Sequence, residues 1–204
     1  MPDYFLYADI LGIIAFSISG FLIGIKNDLD ILGVLIASSL TALGGGIIRD
    51  AILSSGPFAF TSIYPAVTLI STIFIAFIFK LYKKDSLERK WIFVISDTIG
   101  LVAFSITGAI LAIDAEFNFF GIIILSFITA AGGGVARDVM INKVPTVLVT
   151  DFYGSIAVIV AVLLGLAEFF DSMNEITIIS IALFSIGLRL IAFKKQWHLP
   201  KLSH

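Results

Sequence analysis

The chain contains no cysteine, and its two histidines, His198 and His204, both fall in its last residues. The first absence excludes a disulfide framework, a thiolate nucleophile and a cysteine-bound metal. The second leaves no histidine set for a metal site, so no metal and no cofactor is expected. Charge is scarce as well. Only 14% of the 204 residues are charged, with a net charge of -2, where a soluble domain carries about 25%. No basic face is available for nucleic acid. From Met1 to Tyr7 there is no Lys or Arg, which is unlike the basic start of a cleavable signal peptide. What is abundant is apolar: 59% of residues are hydrophobic, and mean hydropathy is +1.08. A soluble protein of this size has too much surface to hide that composition. The expectation is an all-α polytopic membrane protein, one transmembrane domain over residues 1–204.

A span needs about 20 mostly apolar residues. Seven stretches qualify: Phe5–Ile25, Ile31–Leu53, Ile63–Leu81, Trp91–Ile113, Phe119–Ile141, Val147–Phe169 and Ile176–Phe193. Pro65 sits near the start of the third, where a first-turn proline is tolerated. The third connection is the most basic, with Lys80, Lys83, Lys84, Arg89 and Lys90. Lys26 and Lys143 lie in the first and fifth connections, and Lys194, Lys195 and Lys201 in the tail. The second, fourth and sixth connections hold Asp114, Glu116, Glu168, Asp171 and Glu175 instead. Basic loops stay on the cytoplasmic side. Seven spans therefore predict the N-terminus outside and the C-terminus in the cytoplasm.

The chain repeats itself. The run from Asp9 through Gly12, Ala15, Phe16, Ser17, Ile18 and Ser19 to Gly20 returns as Asp97, Gly100, Ala103, Phe104, Ser105, Ile106, Thr107 and Gly108. Thr41-Ala42-Leu-Gly44-Gly45-Gly46-Ile-Ile-Arg49-Asp50 returns as Thr129-Ala130-Ala-Gly132-Gly133-Gly134-Val-Ala-Arg137-Asp138, and Pro57 returns as Pro145. The offset is constant and ungapped. Each unit holds three spans, about 5–82 and about 91–170, so the second copy starts from the opposite side of the membrane. The result is an inverted repeat with a seventh helix, about 176–193, left over for packing or oligomer contact. Inverted repeats are typical of proteins that move small solutes or ions.

Three adjacent glycines in a helix weaken it by about 1 kcal/mol each. The triplets Gly44–Gly46 and Gly132–Gly134 therefore predict a kink or a short unwound segment in the second and fifth spans. Freed carbonyls there would face protein or water and could coordinate a cation. The competing reading is close helix packing through small residues. Matched hydroxyls, Ser17, Ser19, Ser38 and Thr41 with Ser105, Thr107, Ser126 and Thr129, either line one wet path or bond helices together. Arg49 and Arg137 lie within spans, where charge costs about 2.5–3.5 kcal/mol on insertion scales. As sequence neighbours, Arg49 and Asp50 are expected to point apart. Depth along the spans pairs Asp9 with Arg49 and Asp97 with Arg137, one cluster at each end of a central path. These clusters act as gates or as ion pairs holding the bundle together.

The repeated D-x-x-G-x-x-A-F-S-I-S/T-G and G-G-G-x-x-R-D resemble a bacterial seven-helix family described as glycine transporters, which is similar to the trimeric intracellular cation (TRIC) channels. The likeness covers Asp9 to about Arg189. It implies a homotrimer in membrane lipid, each protomer with its own pore lined by the first, second, fourth and fifth helices. The second and fifth would bend at Gly44, Gly45, Gly46, Gly132, Gly133 and Gly134. It implies passive permeation of monovalent cations, K+ or Na+, chiefly K+. Animal members carry a lysine-bearing motif after these glycines, where this chain has Arg49 and Arg137. A secondary transporter for glycine or another small zwitterion is the alternative, since half-helix N-termini can hold a carboxylate. An intramembrane enzyme is not expected, because nucleophile–base pairings are missing.

Overall fold

A computed structural model describes residues 3–149 and 152–197. His198, His204 and Lys201 lie outside these. All regular structure among the described residues is helical. The long helices are α1 (Asp3–Lys26), α2 (Ile31–Ile52), α5 (Ser86–Asp114), α6 (Phe119–Met140) and α9 (Glu175–Lys194). All five are long and apolar enough to cross a membrane. Shorter helices are α3 (Phe58–Thr61), α4 (Tyr64–Ile78), α7 (Thr146–Val149) and α8 (Tyr153–Phe169).

The ends of these helices follow local chemistry. Asp30 and Asn118 occupy equivalent places before α2 and α6, and their side chains accept from the Gly33 and Gly121 amides. Such N-caps satisfy one of the four open donors of a helix start. The third and sixth expected spans come out shorter than read from hydropathy. Lys80 takes a left-handed backbone (φ 52°) after α4, and Phe152 does so (φ 57°) just before α8. At 1.5 Å per residue α4 covers about 22 Å and α8 about 26 Å, below the roughly 30 Å hydrocarbon core.

The repeat is visible in the packing. α1 packs against α5, α2 against α6, and each of these against its neighbour, while α9 lies on α5 and α8. Equivalent residues meet reciprocally. A Cβ on Gly12 would meet the Phe104 ring at 2.9 Å, and one on Gly100 would meet the Phe16 ring at 2.3 Å. The Phe16 and Phe104 rings lie 5.3 Å apart by centroid. Since Gly12 precedes Phe16 while its partner Phe104 follows Gly100, α1 and α5 run antiparallel. Lys143 Nζ donates to Asn27 Oδ1, so the first and fifth connections share one end of the bundle.

The unwinding expected at the glycine triplets is not found. α2 and α6 are continuous α-helices through Gly44–Gly46 and Gly132–Gly134. The reason is tertiary. A Cβ on Gly45 would lie 2.0 Å from the Thr129 carbonyl oxygen, one on Gly133 2.4 Å from that of Thr41, and one on Gly44 3.0 Å from Gly133 Cα. The triplets remove side chains where α2 and α6 cross, so the backbones touch. Close approach through small residues is a membrane packing device, and it outweighs glycine's poor helix propensity.

Candidate functional site

Two arginines sit at opposite ends of this core, one turn past each glycine triplet. Arg49 is 1% exposed and Arg137 2%. A guanidinium in such surroundings must fill its five donors with partners held in place. Arg49 Nη1 donates to Asp9 Oδ1 at 2.8 Å and to Thr107 Oγ1 at 3.3 Å, and its Nε donates to Asp50 Oδ1 at 2.7 Å. Its guanidinium carbon lies 5.3 Å from the centroid of the Phe5 ring. The expected pairing of Asp9 with Arg49 is thus direct, and it joins α1 to α2.

The neighbour pair Arg49 and Asp50 departs from expectation, and its repeat mate behaves the same way. Arg49 bonds Asp50, and Arg137 bonds Asp138 through Nε at 2.9 Å and Nη2 at 2.8 Å. Adjacent residues diverge at Cβ, but arginine's long side chain folds back to reach the next carboxylate. The other oxygen of each carboxylate faces the following short helix. Asp50 Oδ2 accepts from the Phe58 amide at 2.8 Å, and Asp138 Oδ2 accepts from the Thr146 amide at 2.7 Å and its hydroxyl at 2.8 Å. Each aspartate therefore ties a buried arginine to the start of α3 or α7, just after Pro57 or Pro145.

The second cluster is not a copy of the first. Asp97 makes no direct ion pair with Arg137, contrary to the symmetric expectation. It accepts from Ser19 Oγ at 2.9 Å, and Arg137, Arg189 and Tyr153 surround it electrostatically. Arg137 Nη1 reaches Thr41 Oγ1 at 3.4 Å instead. Two participants escaped the repeat-based reading. Arg189 comes from α9, outside the repeat, and Tyr153 from α8. The Arg189 guanidinium carbon lies 5.3 Å from the Tyr153 ring centroid. A lone arginine inside the apolar run Ile176–Phe193 was the available signal. α9 is therefore more than packing, because it brings a second buried cation to Asp97.

All eight matched hydroxyls are buried. Ser17, Ser38, Thr41, Ser105 and Thr129 donate to carbonyls four residues back. Ser126 crosses to the Ser105 carbonyl at 2.8 Å, and Thr107 donates to the Phe104 carbonyl. In this conformation the hydroxyls satisfy helix and interhelix bonds. The space between Asp9, Arg49, Gly46 and Phe104 is about 10 Å³, at the lower limit for one water. The Asp97 end differs, since Asp97 and Arg189 form part of the lining of a cavity of about 510 Å³.

A family model described as glycine transporter matches residues 6–80 and again 94–168, the two repeat units. The chain is 32% identical over 197 residues to the UPF0126 membrane protein YvgT of Bacillus subtilis, covering 95% of this chain and 94% of that one. It is 30% identical over 194 residues to the UPF0126 inner membrane protein YadS of Escherichia coli K12, covering 95% and 92%. Among solved structures it is similar to a prokaryotic TRIC channel crystallised in 0.5 M KCl, with 31% identity, a TM-score of 0.86, and 98% and 100% of the two chains covered. It is also similar to a chain from a structural study of conductance through TRIC cation channels, with 32% identity, a TM-score of 0.84 and 97% of each chain covered. The fold alone is shared with the TRIC orthologue of Rhodobacter sphaeroides, at 24% identity and a TM-score of 0.85.

Proposed function

The chain belongs to the glycine transporter family and has the fold of the prokaryotic TRIC channels, and we propose that it is a multi-pass inner-membrane channel for monovalent cations, chiefly K+. The path runs within each protomer between α1, α2, α5 and α6. Three protomers assemble in the membrane. Seven helices cross, counting α4 and α8, with the N-terminus outside and the C-terminus in the cytoplasm.

One observation carries this reading: buried arginine–aspartate clusters stand at both ends of an antiparallel core. Ionisable groups inside a membrane protein are costly and mark ion paths. Arginine opposes a cation, so each must be neutralised or moved for conduction. Asp9 and Asp50 hold Arg49, and Asp138 holds Arg137, which makes the arginines gates over a path whose Asp9 end is sealed here. Helix carbonyls and the matched hydroxyls at the α2–α6 crossing would replace part of the ion's hydration shell once the crossing opens. An alternating-access carrier for a zwitterion is not favoured, since the similar solved structures are of cation channels.

The test is planar-bilayer recording under a KCl gradient. Unitary currents that reverse near the K+ equilibrium potential support the channel. Silent bilayers together with saturable glycine uptake into proteoliposomes overturn it. Neutral substitution of Arg49 or Arg137 is expected to change conductance or open probability. Unchanged currents in both variants reduce the arginines to structural groups.

A further inference from the structure

The two ends of the bundle differ in charge as well as in width. α5 has 29 residues and is about 43 Å long at 1.5 Å per residue. That exceeds the roughly 30 Å hydrocarbon core, and its charged first turns are the part that hydrocarbon would exclude. They carry Arg89 and Lys90 into the wall of the 510 Å³ cavity, which Lys26 at the end of α1 also lines. Arg189 and Asp97 reach the cavity from the buried cluster, and Asp28 is its other acid. Four cationic side chains thus stand against two carboxylates. At the opposite end of α5, a cavity of about 310 Å³ is lined by Arg49, Asp50 and Asp114. Asp9 lies directly behind Arg49. That mouth is acidic.

From this we infer that conduction through the chain is directional: cations enter more readily at the Asp114 mouth than at the Lys26 mouth, and Lys26, Arg89 and Lys90 set the difference. The inference rests on the channel reading and adds to it a polarity that the repeat alone would not produce. The repeat is nearly symmetric in its buried motifs, while the residues at its two mouths are not.

The physics is local concentration. Charge at the mouth of a low-dielectric passage raises or lowers the number of permeant ions waiting there. In water, one unit charge about 10 Å away changes that number by roughly twofold. Lys26 and Lys90 are exposed and Arg89 is half-buried, so added salt screens them. The Debye length is about 30 Å in 10 mM salt and about 3 Å in 1 M. Rectification should therefore be present at the first and lost at the second.

A chain without cysteine makes the test direct. Ser86 is exposed and lines the basic cavity, so Ser86→Cys adds one thiol at that mouth. Its reaction rates with anionic and cationic methanethiosulfonates of similar size report the local potential without any current. In 10 mM KCl the anionic reagent should react about threefold faster, relative to the ratio in 1 M KCl. The combined Lys26→Gln, Arg89→Gln, Lys90→Gln variant should remove that preference. The same reagents, added to one chamber, fix the orientation of channels in a bilayer. Current entering at the Asp114 mouth should then exceed the reverse current about threefold in symmetric 10 mM KCl. It should approach equality in 1 M KCl and in the triple variant. A rate ratio that is the same in 10 mM and in 1 M KCl overturns the inference whatever the currents do, and so does a rectification that ignores both salt and the triple variant. A silent bilayer beside an anion-favouring thiol overturns the channel reading, and the directional current with it.

Discussion

Arg49 Nη1 stands 2.8 Å from Asp9 Oδ1, with the two side chains 1% and 5% exposed, and this contact joins α1 to α2 in the half of the molecule that is sealed. Removing one partner of a buried pair leaves the other charge uncompensated, at a cost of about 3–5 kcal/mol. Asp50 still holds Arg49, so Asp9→Asn is expected at the lower end, about 3 kcal/mol. A double-mutant cycle with Arg49→Gln, read by unfolding in detergent, should show the double variant losing less than the sum. Strict additivity would mean that the pair contributes no coupling.

The glycine triplets make a sharper prediction because their members differ. A Cβ on Gly45 collides with a carbonyl oxygen at 2.0 Å, whereas one on Gly46 has nothing nearer than Arg49 Nη2 at 3.7 Å. Gly45→Ala should destabilise by more than about 2 kcal/mol, through overpacking against rigid backbone. Gly46→Ala should stay within about 0.5 kcal/mol or gain slightly, since alanine favours helix by roughly that much. Gly187→Ala, with open space around it, is the control. Thermal unfolding of the three variants side by side decides the matter. Equal losses for Gly45→Ala and Gly46→Ala would point to a conformational role for the whole triplet.

Asp138 receives donors from Arg137, the Thr146 amide and the Thr146 hydroxyl, whereas Asp50 has no hydroxyl donor at the matching place, Phe58. Thr146→Val removes one hydrogen bond to a charged acceptor and should lower stability by about 1.5 kcal/mol. Phe58→Leu leaves the backbone donor to Asp50 intact and should move stability less. Hydrogen exchange at the Thr146 and Phe58 amides would follow each linkage directly. Protection of the Phe58 amide should be untouched by Thr146→Val.

Lys84 and Glu88 form an i,i+4 ion pair at 3.2 Å, with both side chains about half exposed. Exposed pairs of this kind contribute about 0.3–0.5 kcal/mol. Glu88→Gln should therefore leave the unfolding midpoint within error at moderate salt, and a larger loss would reveal a role for this connection that the ion pair does not explain.

The helices, the repeat and the pairing of Asp9 with Arg49 are legible in the residues themselves, because hydropathy and a constant offset encode them. The α2–α6 contact is legible only as the competing reading, close packing, since glycine also reads as a helix breaker until the facing glycines are known. Arg137 and Asp97 illustrate a second limit. Strict symmetry predicts their pairing, but Ser19 takes an oxygen of Asp97, and Arg189 enters from a helix that the repeat does not contain. The bond from Arg49 to Asp50 depends on side-chain length, and reasoning from Cβ directions alone misses it. Span lengths fail where left-handed residues, Lys80 and Phe152, end or start a helix inside an apolar run.

The glycine crossing also bears on how the two halves recognise each other. Gly45 faces Thr129 just as Gly133 faces Thr41, so the surface is complementary to itself when turned over in the membrane plane. Self-complementary contacts of this kind are how identical subunits form two-fold dimers. Each half of the chain therefore offers the other the same bare backbone patch. Residues 1–85 and 86–204, made as separate polypeptides, hold matching halves of one interface.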